Sequence, residues 1–218
     1  MLIKLCGLRS PENIDELSGI SLDLLGFVFH RPSPRYVGEP GTLAALRAAL
    51  EAHFPETPRV GVFVNAKVPD ILQSVSALGL TYAQLHGDES PEYCASLRTV
   101  WPTLKLIKAF SVDAGFDFKS TAAYERFCEY FLFDTKTPAR GGSGQQFDWS
   151  ILEKYTGFRQ FLLSGGIGPD DAAQVRALNF PQMAGVDVNS KFETEPGVKD
   201  AAKVRTFVNE LNPNKQHS

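Results

Sequence analysis

Eight short runs rich in Val, Ile, Leu and Phe recur along the 218 residues, and a helical pattern separates each from the next. That alternation constrains the fold more than any other feature, because repeated βα units build a parallel sheet. Eight of them, with no linker-like or low-complexity stretch between, indicate a closed barrel rather than an open doubly wound sheet. The runs lie near 2–6, 23–29, 59–64, 82–86, 104–109, 130–134, 160–164 and 184–188. Helices are expected over Pro11 to Ser18, Thr42 to His53, Pro69 to Leu78, Pro91 to Thr99, Thr121 to Cys128, Trp149 to Tyr155, Pro169 to Leu178 and Lys199 to Asn209. Ser10-Pro11, Ser90-Pro91 and Gly168-Pro169 each put proline where a first-turn N–H has no partner, with Ser10 and Ser90 as the N-caps. The predicted architecture is α/β: a single (β/α)8 TIM barrel of the phosphate-binding type over residues 1–212. No apolar residue follows Leu211, so 213–218 is expected to fray as a tail.

A hydrophobic content of 43% supports one sizeable core. The net charge of −3 and a pI near 5.8, with no Lys/Arg block, exclude an electrostatic nucleic-acid binder. An anionic ligand must then be held locally. The three cysteines, Cys6, Cys94 and Cys128, are odd in number and lack metal-ligand spacing, so neither a disulfide framework nor a metal site is indicated. No signal pattern precedes Leu2, and no apolar run nears the roughly 18 residues that span a bilayer. A soluble cytoplasmic protein without a membrane partner is expected, a monomer by default, with a homodimer left open.

Strand alternation places Leu2, Lys4 and Cys6 on one face and Ile3 and Leu5 on the other. Asp134 shares its face with Leu132 and Tyr130. If both faces line one barrel, a thiol and a carboxylate converge at its mouth as an acid and base pair. The plainer alternatives are a small buried hydrophobe for Cys6 and a loop cap for Asp134. A cation or helix terminus beside Cys6 would stabilise its thiolate relative to a free thiol of pKa about 8.5. Cys94 and Cys128 fall in helical patterns and read as structural. Lys4 points inward, where an unpaired ammonium is costly, and is expected to pair with Asp187.

Ser164-Gly165-Gly166-Ile167-Gly168-Pro169 and Asp187-Val188-Asn189-Ser190 follow the seventh and eighth runs, where barrels hold a phosphate on backbone N–H groups. Either stretch alone is an ordinary connection. Arg35, in Ser33-Pro34-Arg35, offers a bidentate fork to a carboxylate, or is a solvent-exposed loop charge. His86 shares a face with Gln84 and either lines the cavity or is a structural histidine at the barrel mouth. Two long loops, His30 to Gly41 and Thr135 to Phe147, lie on the catalytic face. The second carries Arg140-Gly141-Gly142-Ser143-Gly144 and is suited to closing over a ligand.

Together these stretches resemble a known family. Lys4-Leu5-Cys6-Gly7-Leu8, Gly26-Phe27-Val28-Phe29 followed by Ser33-Pro34-Arg35-Tyr36-Val37, Val60-Gly61-Val62-Phe63-Val64-Asn65, Gln84-Leu85-His86-Gly87-Asp88-Glu89, Phe133-Asp134-Thr135 with Gly141-Gly142-Ser143-Gly144, and Leu163-Ser164-Gly165-Gly166-Ile167 are similar, in order, to phosphoribosylanthranilate isomerase. The resemblance implies an Amadori rearrangement of N-(5-phosphoribosyl)anthranilate to 1-(2-carboxyphenylamino)-1-deoxyribulose 5-phosphate in tryptophan biosynthesis. It implies Asp134 as general acid, Cys6 as general base, Arg35 on the anthranilate carboxylate, and Gly165, Gly166, Asn189 and Ser190 on the phosphate. No metal or organic cofactor is expected, and the partner is a small phosphorylated substrate.

The chain departs from the family at Asp187-Val188-Asn189-Ser190-Lys191-Phe192-Glu193, where members commonly continue Ser-Ser-Gly-Val-Glu after Asp-Val. Lys191 in place of that glycine either carries strain, if φ is positive there, or adds a phosphate contact. A related barrel isomerase of histidine biosynthesis, or a bifunctional one, is a competing reading, but those enzymes typically use aspartate where Cys6 stands. A non-catalytic phosphate binder is another, and it has no need of an acid and base pair.

Overall fold

The computed structural model describes residues 1–135 and 148–213. The stretch Arg140-Gly141-Gly142-Ser143-Gly144, and the expected tail beyond residue 213, lie outside the described residues.

Eight parallel strands close into a barrel in chain order: β1 (Leu2–Leu5), β2 (Leu24–Val28), β3 (Arg59–Phe63), β4 (Tyr82–Leu85), β5 (Lys105–Val112), β6 (Tyr130–Thr135), β7 (Phe161–Leu163) and β8 (Met183–Val188). The seam is β1 against β8, and its register sets Lys4 opposite Asp187 and Leu5 opposite Val188. Alternate positions fill the inside: Leu24, Val60, Tyr82, Ile107, Leu132 and Leu162, one from each of β2 to β7, form a buried cluster. The intervening residues, among them Ile3, Leu5, Phe27, Phe63, Phe131 and Phe161, are buried on the outer face. Both strand faces are therefore apolar, which is why the runs read as continuous.

Helices cover that outer face: α1 (Pro11–Glu16), α2 (Pro40–His53), α3 (Val68–Leu78), α4 (Pro91–Val100), α5 (Ala172–Ala177) and α6 (Ala201–Leu211). Ser10 caps α1 by accepting from the Asn13 N–H, and Ser90 caps α4 by accepting from the Tyr93 N–H, both at 3.2 Å. In α3, Ile71, Val75 and Leu78 make the buried stripe at helical spacing. Among the described residues, no helix is long and apolar enough to cross a membrane.

Three expected helices differ in type, wholly or in part. Thr121 to Cys128 is replaced by a 3-10 helix over Phe118–Tyr124, because Ser120 and Thr121 turn their hydroxyls onto carbonyls three residues back, at 2.7 and 2.8 Å, and so favour the tighter turn. Trp149–Lys154 is likewise 3-10. The segment from Pro169 begins as 3-10 over Pro169–Asp171 before α5. The last helix starts later than expected. Asp200 accepts from the N–H groups of Ala202 and Lys203, both at 3.1 Å, which leaves Lys199 outside in a two-stranded ribbon, β9 (Glu193–Glu195) with β10 (Val198–Lys199).

Candidate active site

The loops leaving the C-terminal ends of the strands surround one cavity, and its wall holds Cys6, Arg35, Gln84, His86, Asp134, Gly165, Gly166, Asn189 and Ser190. Residues named from six separate stretches of sequence thus meet, as a barrel mouth requires. Lys191 is not among the lining residues.

Cys6 follows β1 and is 4% exposed, with its N–H donating to the Val188 carbonyl of β8 at 2.9 Å. Inside the barrel behind it, Lys4 donates to Asp187 Oδ1 at 2.7 Å, and the Ser164 hydroxyl donates to Oδ2 at 3.2 Å. The expected Lys4–Asp187 pair is present and fully buried at its ammonium end. Burial alone would lower the Lys4 pKa, but the Asp187 carboxylate and the Cys6 sulfur outweigh it and raise it. The thiol does not follow the expectation of a stabilised thiolate. Burial pushes Cys6 up, with the Asp187 charge adding to the rise, and the Lys4 ammonium only partly offsets it. Desolvation wins because the sulfur is enclosed while the cation beside it is already shared with a carboxylate.

Asp134, in β6, keeps its side chain 10% exposed. Its Oδ1 accepts the Thr135 N–H at 2.9 Å, and its Oδ2 lies 3.4 Å from His86 Nε2. Gln84 Nε2 meets His86 Nδ1 at 2.9 Å; with the amide donating, the ring proton resides on Nε2, the nitrogen facing Asp134. Gln84 is 1% exposed, and its Oε1 has no protein partner among the described residues. A buried acceptor of this kind on a cavity wall suits a ligand hydroxyl.

Gly165 has φ +95, and a Cβ there would stand 2.7 Å from the Thr135 nitrogen and 3.0 Å from Asp134 Oδ1. Only glycine brings the turn after β7 so close to the carboxyl. On the other side, Asn189 and Ser190 lead into a 3-10 turn over Ser190–Phe192. Asn65 is the one non-glycine residue with positive φ among the described residues, so Lys191 is not strained as a glycine replacement would be. It is an exposed residue of that turn.

Arg35 lines the cavity, but its fork is taken: Nε donates to Glu193 Oε1 at 2.8 Å and Nη2 to Oε2 at 2.6 Å. Those hydrogen bonds raise the Arg35 pKa. For Glu193, burial alone would raise the carboxyl, but Arg35 and Lys199 outweigh it and hold it low. Sequence reasoning missed the Arg35–Glu193 pairing and the role of Lys199. The partners are 158 residues apart, and Glu193 sits in a polar stretch without periodicity.

A family described as PRAI, N-(5'-phosphoribosyl)anthranilate (PRA) isomerase, matches residues 3–210. The N-(5'-phosphoribosyl)anthranilate isomerase of Parabacteroides distasonis is 43% identical over 211 residues, covering 97% of this chain and 93% of the relative. Among solved structures, phosphoribosyl anthranilate isomerase from Thermotoga maritima superposes with a TM-score of 0.83 at 35% identity, over 98% of this chain and 100% of the other. A phosphoribosyl anthranilate isomerase in complex with reduced 1-(o-carboxyphenylamino)-1-deoxyribulose 5-phosphate superposes with a TM-score of 0.80 at 30% identity, over 98% of this chain and 100% of that one.

Proposed function

The chain belongs to the N-(5'-phosphoribosyl)anthranilate isomerase family, and from that premise we propose that Cys6 and Asp134 are the base and acid of its reaction, the aldose–ketose isomerisation of tryptophan biosynthesis. Asp134 protonates the furanose ring oxygen, which opens the ring to an iminium. Cys6, as thiolate, removes the C2 proton to give an enolamine, and tautomerisation yields the ketone. The iminium acidifies the neighbouring C–H, so a moderate base suffices. As Asp134 gives up its proton, the Thr135 N–H and the facing His86 ring nitrogen are placed to stabilise the carboxylate that forms.

The observation that carries this reading is the meeting of Cys6, Asp134, Arg35 and the Gly165–Gly166 and Asn189–Ser190 turns around one cavity. Arg35 binds the anthranilate carboxylate, and backbone N–H groups around Gly165, Gly166 and Ser190, with Asn189 beside them, bind the phosphate. We take residues 1–212 as one catalytic unit working on a small phosphorylated substrate in the cytoplasm.

Turnover of freshly prepared phosphoribosylanthranilate, followed by the loss of its anthranilate fluorescence, tests the assignment. Cys6→Ser and Asp134→Asn should each lower kcat by at least about 100-fold while KM stays within about tenfold, because the alcohol is a much weaker base and the amide has no proton to give. A kcat above about a tenth of wild type in either variant would move that role to another residue.

A further inference from the structure

One buried charge cluster beside the cavity has no part in the chemistry above. Glu193 opens β9, and its side chain is 5% exposed. Besides the Arg35 fork, its Oε1 accepts from Lys199 Nζ at 2.7 Å and from the Gly197 N–H at 3.1 Å. Lys199 stands directly opposite Glu193 in the ribbon register, and its ammonium continues to Asn189, reaching Oδ1 at 2.7 Å and the carbonyl at 3.3 Å. Arg35 and Asn189 are both cavity residues. Gly7, the residue after Cys6, is packed between them with φ +78: a Cβ there would come 2.5 Å from Asn189 Oδ1 and 2.7 Å from Arg35 Cδ.

We propose that Glu193 and Lys199 are positioning residues for substrate recognition: Glu193 clamps the Nε–Nη2 edge of Arg35, so that its Nη1 end meets the anthranilate carboxylate, and Lys199 ties that clamp to Asn189 at the phosphate end. This rests on the reading of Arg35 as the carboxylate-binding residue, and deepens it. A guanidinium prefers to pair with a carboxylate through two parallel N–H bonds. Glu193 already occupies one such edge, while Nη1 has no hydrogen bond among the described residues. The ligand therefore meets an arginine whose rotamers are fixed before it arrives, which removes part of the ordering cost of binding.

Charge alone argues the opposite way, and that makes the proposal testable. Glu193 is an anion next to a site for an anion, so neutralising it should strengthen carboxylate binding if field strength dominates. Two cations, Arg35 and Lys199, surround the one carboxylate, leaving a net positive charge for the substrate. If position dominates, loss of the clamp weakens binding despite the extra positive charge.

The measurement is the dissociation constant of reduced 1-(o-carboxyphenylamino)-1-deoxyribulose 5-phosphate and of the same compound without its ring carboxylate. Glu193→Gln should weaken the first by about tenfold and the second by less than about twofold, and should raise KM with kcat within about threefold. Lys199→Met should weaken both ligands, since it frees Asn189 as well as Glu193. If Glu193→Gln fails to fold, Glu193→Asp keeps the charge and draws the clamp back by one methylene, and should show the same selective loss. Equal or tighter binding of the carboxylate ligand, or equal weakening of both ligands by the Glu193 variant, overturns the proposal. Arg35→Ala separates the two readings. If it fails to narrow the gap between the ligands, Arg35 is not the carboxylate-binding residue; if it narrows the gap while Glu193→Gln spares it, the positioning role alone falls.

Discussion

Lys4 shows how one side chain links the stability of the barrel to its chemistry. Its ammonium, 0% exposed, stands between Asp187 and the Cys6 sulfur. Lys4→Met leaves Asp187 as a buried carboxylate with, among the described residues, only the Ser164 hydroxyl, and breaking a buried pair from one side costs about 3–5 kcal/mol. Urea unfolding should show that loss, and adding Asp187→Asn should recover part of it by removing the stranded charge. Because the Lys4 pKa is raised above its unfolded value of about 10.4, its contribution is fully present at neutral pH. It is lost only as pH rises through the folded value. The same substitution removes the cation that pulls Cys6 down, so the thiol rises further. Since the proposed base must be deprotonated to act, the ascending limb of kcat/KM should move to higher pH than in wild type; an unmoved limb would mean that Lys4 does not tune Cys6.

At the level of elements, the strands were legible in the sequence because both of their faces are buried, which produces unbroken apolar runs. The covering segments were legible only where a serine–proline start or a regular stripe marked them, as in α1, α3 and α4. Among the described residues between β5 and β7 the cover is 3-10, over Phe118–Tyr124 and Trp149–Lys154, and large rings take the place of helical stripes. Phe133 of β6 has ring centroids of Phe118, Tyr155 and Phe161 within 5.4, 5.1 and 5.0 Å, and Phe110 at 6.1 Å. No periodicity announces such packing, because each ring arrives from a different segment. Phe133→Ala should cost about 3–5 kcal/mol through lost burial and a cavity that several rings line at once. A urea midpoint shift worth less than about 1 kcal/mol would show that the aromatic shell collapses to fill the space. That Cys6, Asp134, His86 and the Gly165–Gly166 and Asn189–Ser190 turns gather at one cavity was legible because each lies at or just after a strand end, where a barrel opens its mouth. Glu193 and Lys199 were not, since what defines them is a pairing across a short ribbon with a residue far away in the chain.

Across the whole molecule, a net charge of −3 opposes an anionic substrate, so attraction must come from cations near the mouth. Lys199 is buried and Arg35 half-buried, both are paired with Glu193, and Lys4 is held by Asp187. Lys191 differs: it is exposed, follows Ser190, and lies near Gly168, where a Cβ would be 4.0 Å from its own. Its backbone shows no left-handed strain, so Lys191→Gly gains no relief and adds unfolded-state freedom, which should lower stability by about 0.5–1 kcal/mol. The electrostatic consequence is separate. An exposed ammonium within about one Debye length, near 10 Å at 0.1 M salt, of a bound phosphate attracts it, and that attraction fades as salt is added. Lys191→Gly should therefore raise KM at low ionic strength and flatten its rise with salt, leaving kcat unchanged. Equal KM values for variant and wild type at both ionic strengths would make Lys191 a solvent-facing charge with no part in binding. Among the described residues, the proposed phosphate contacts would then be those of the Gly165–Gly166 and Asn189–Ser190 turns.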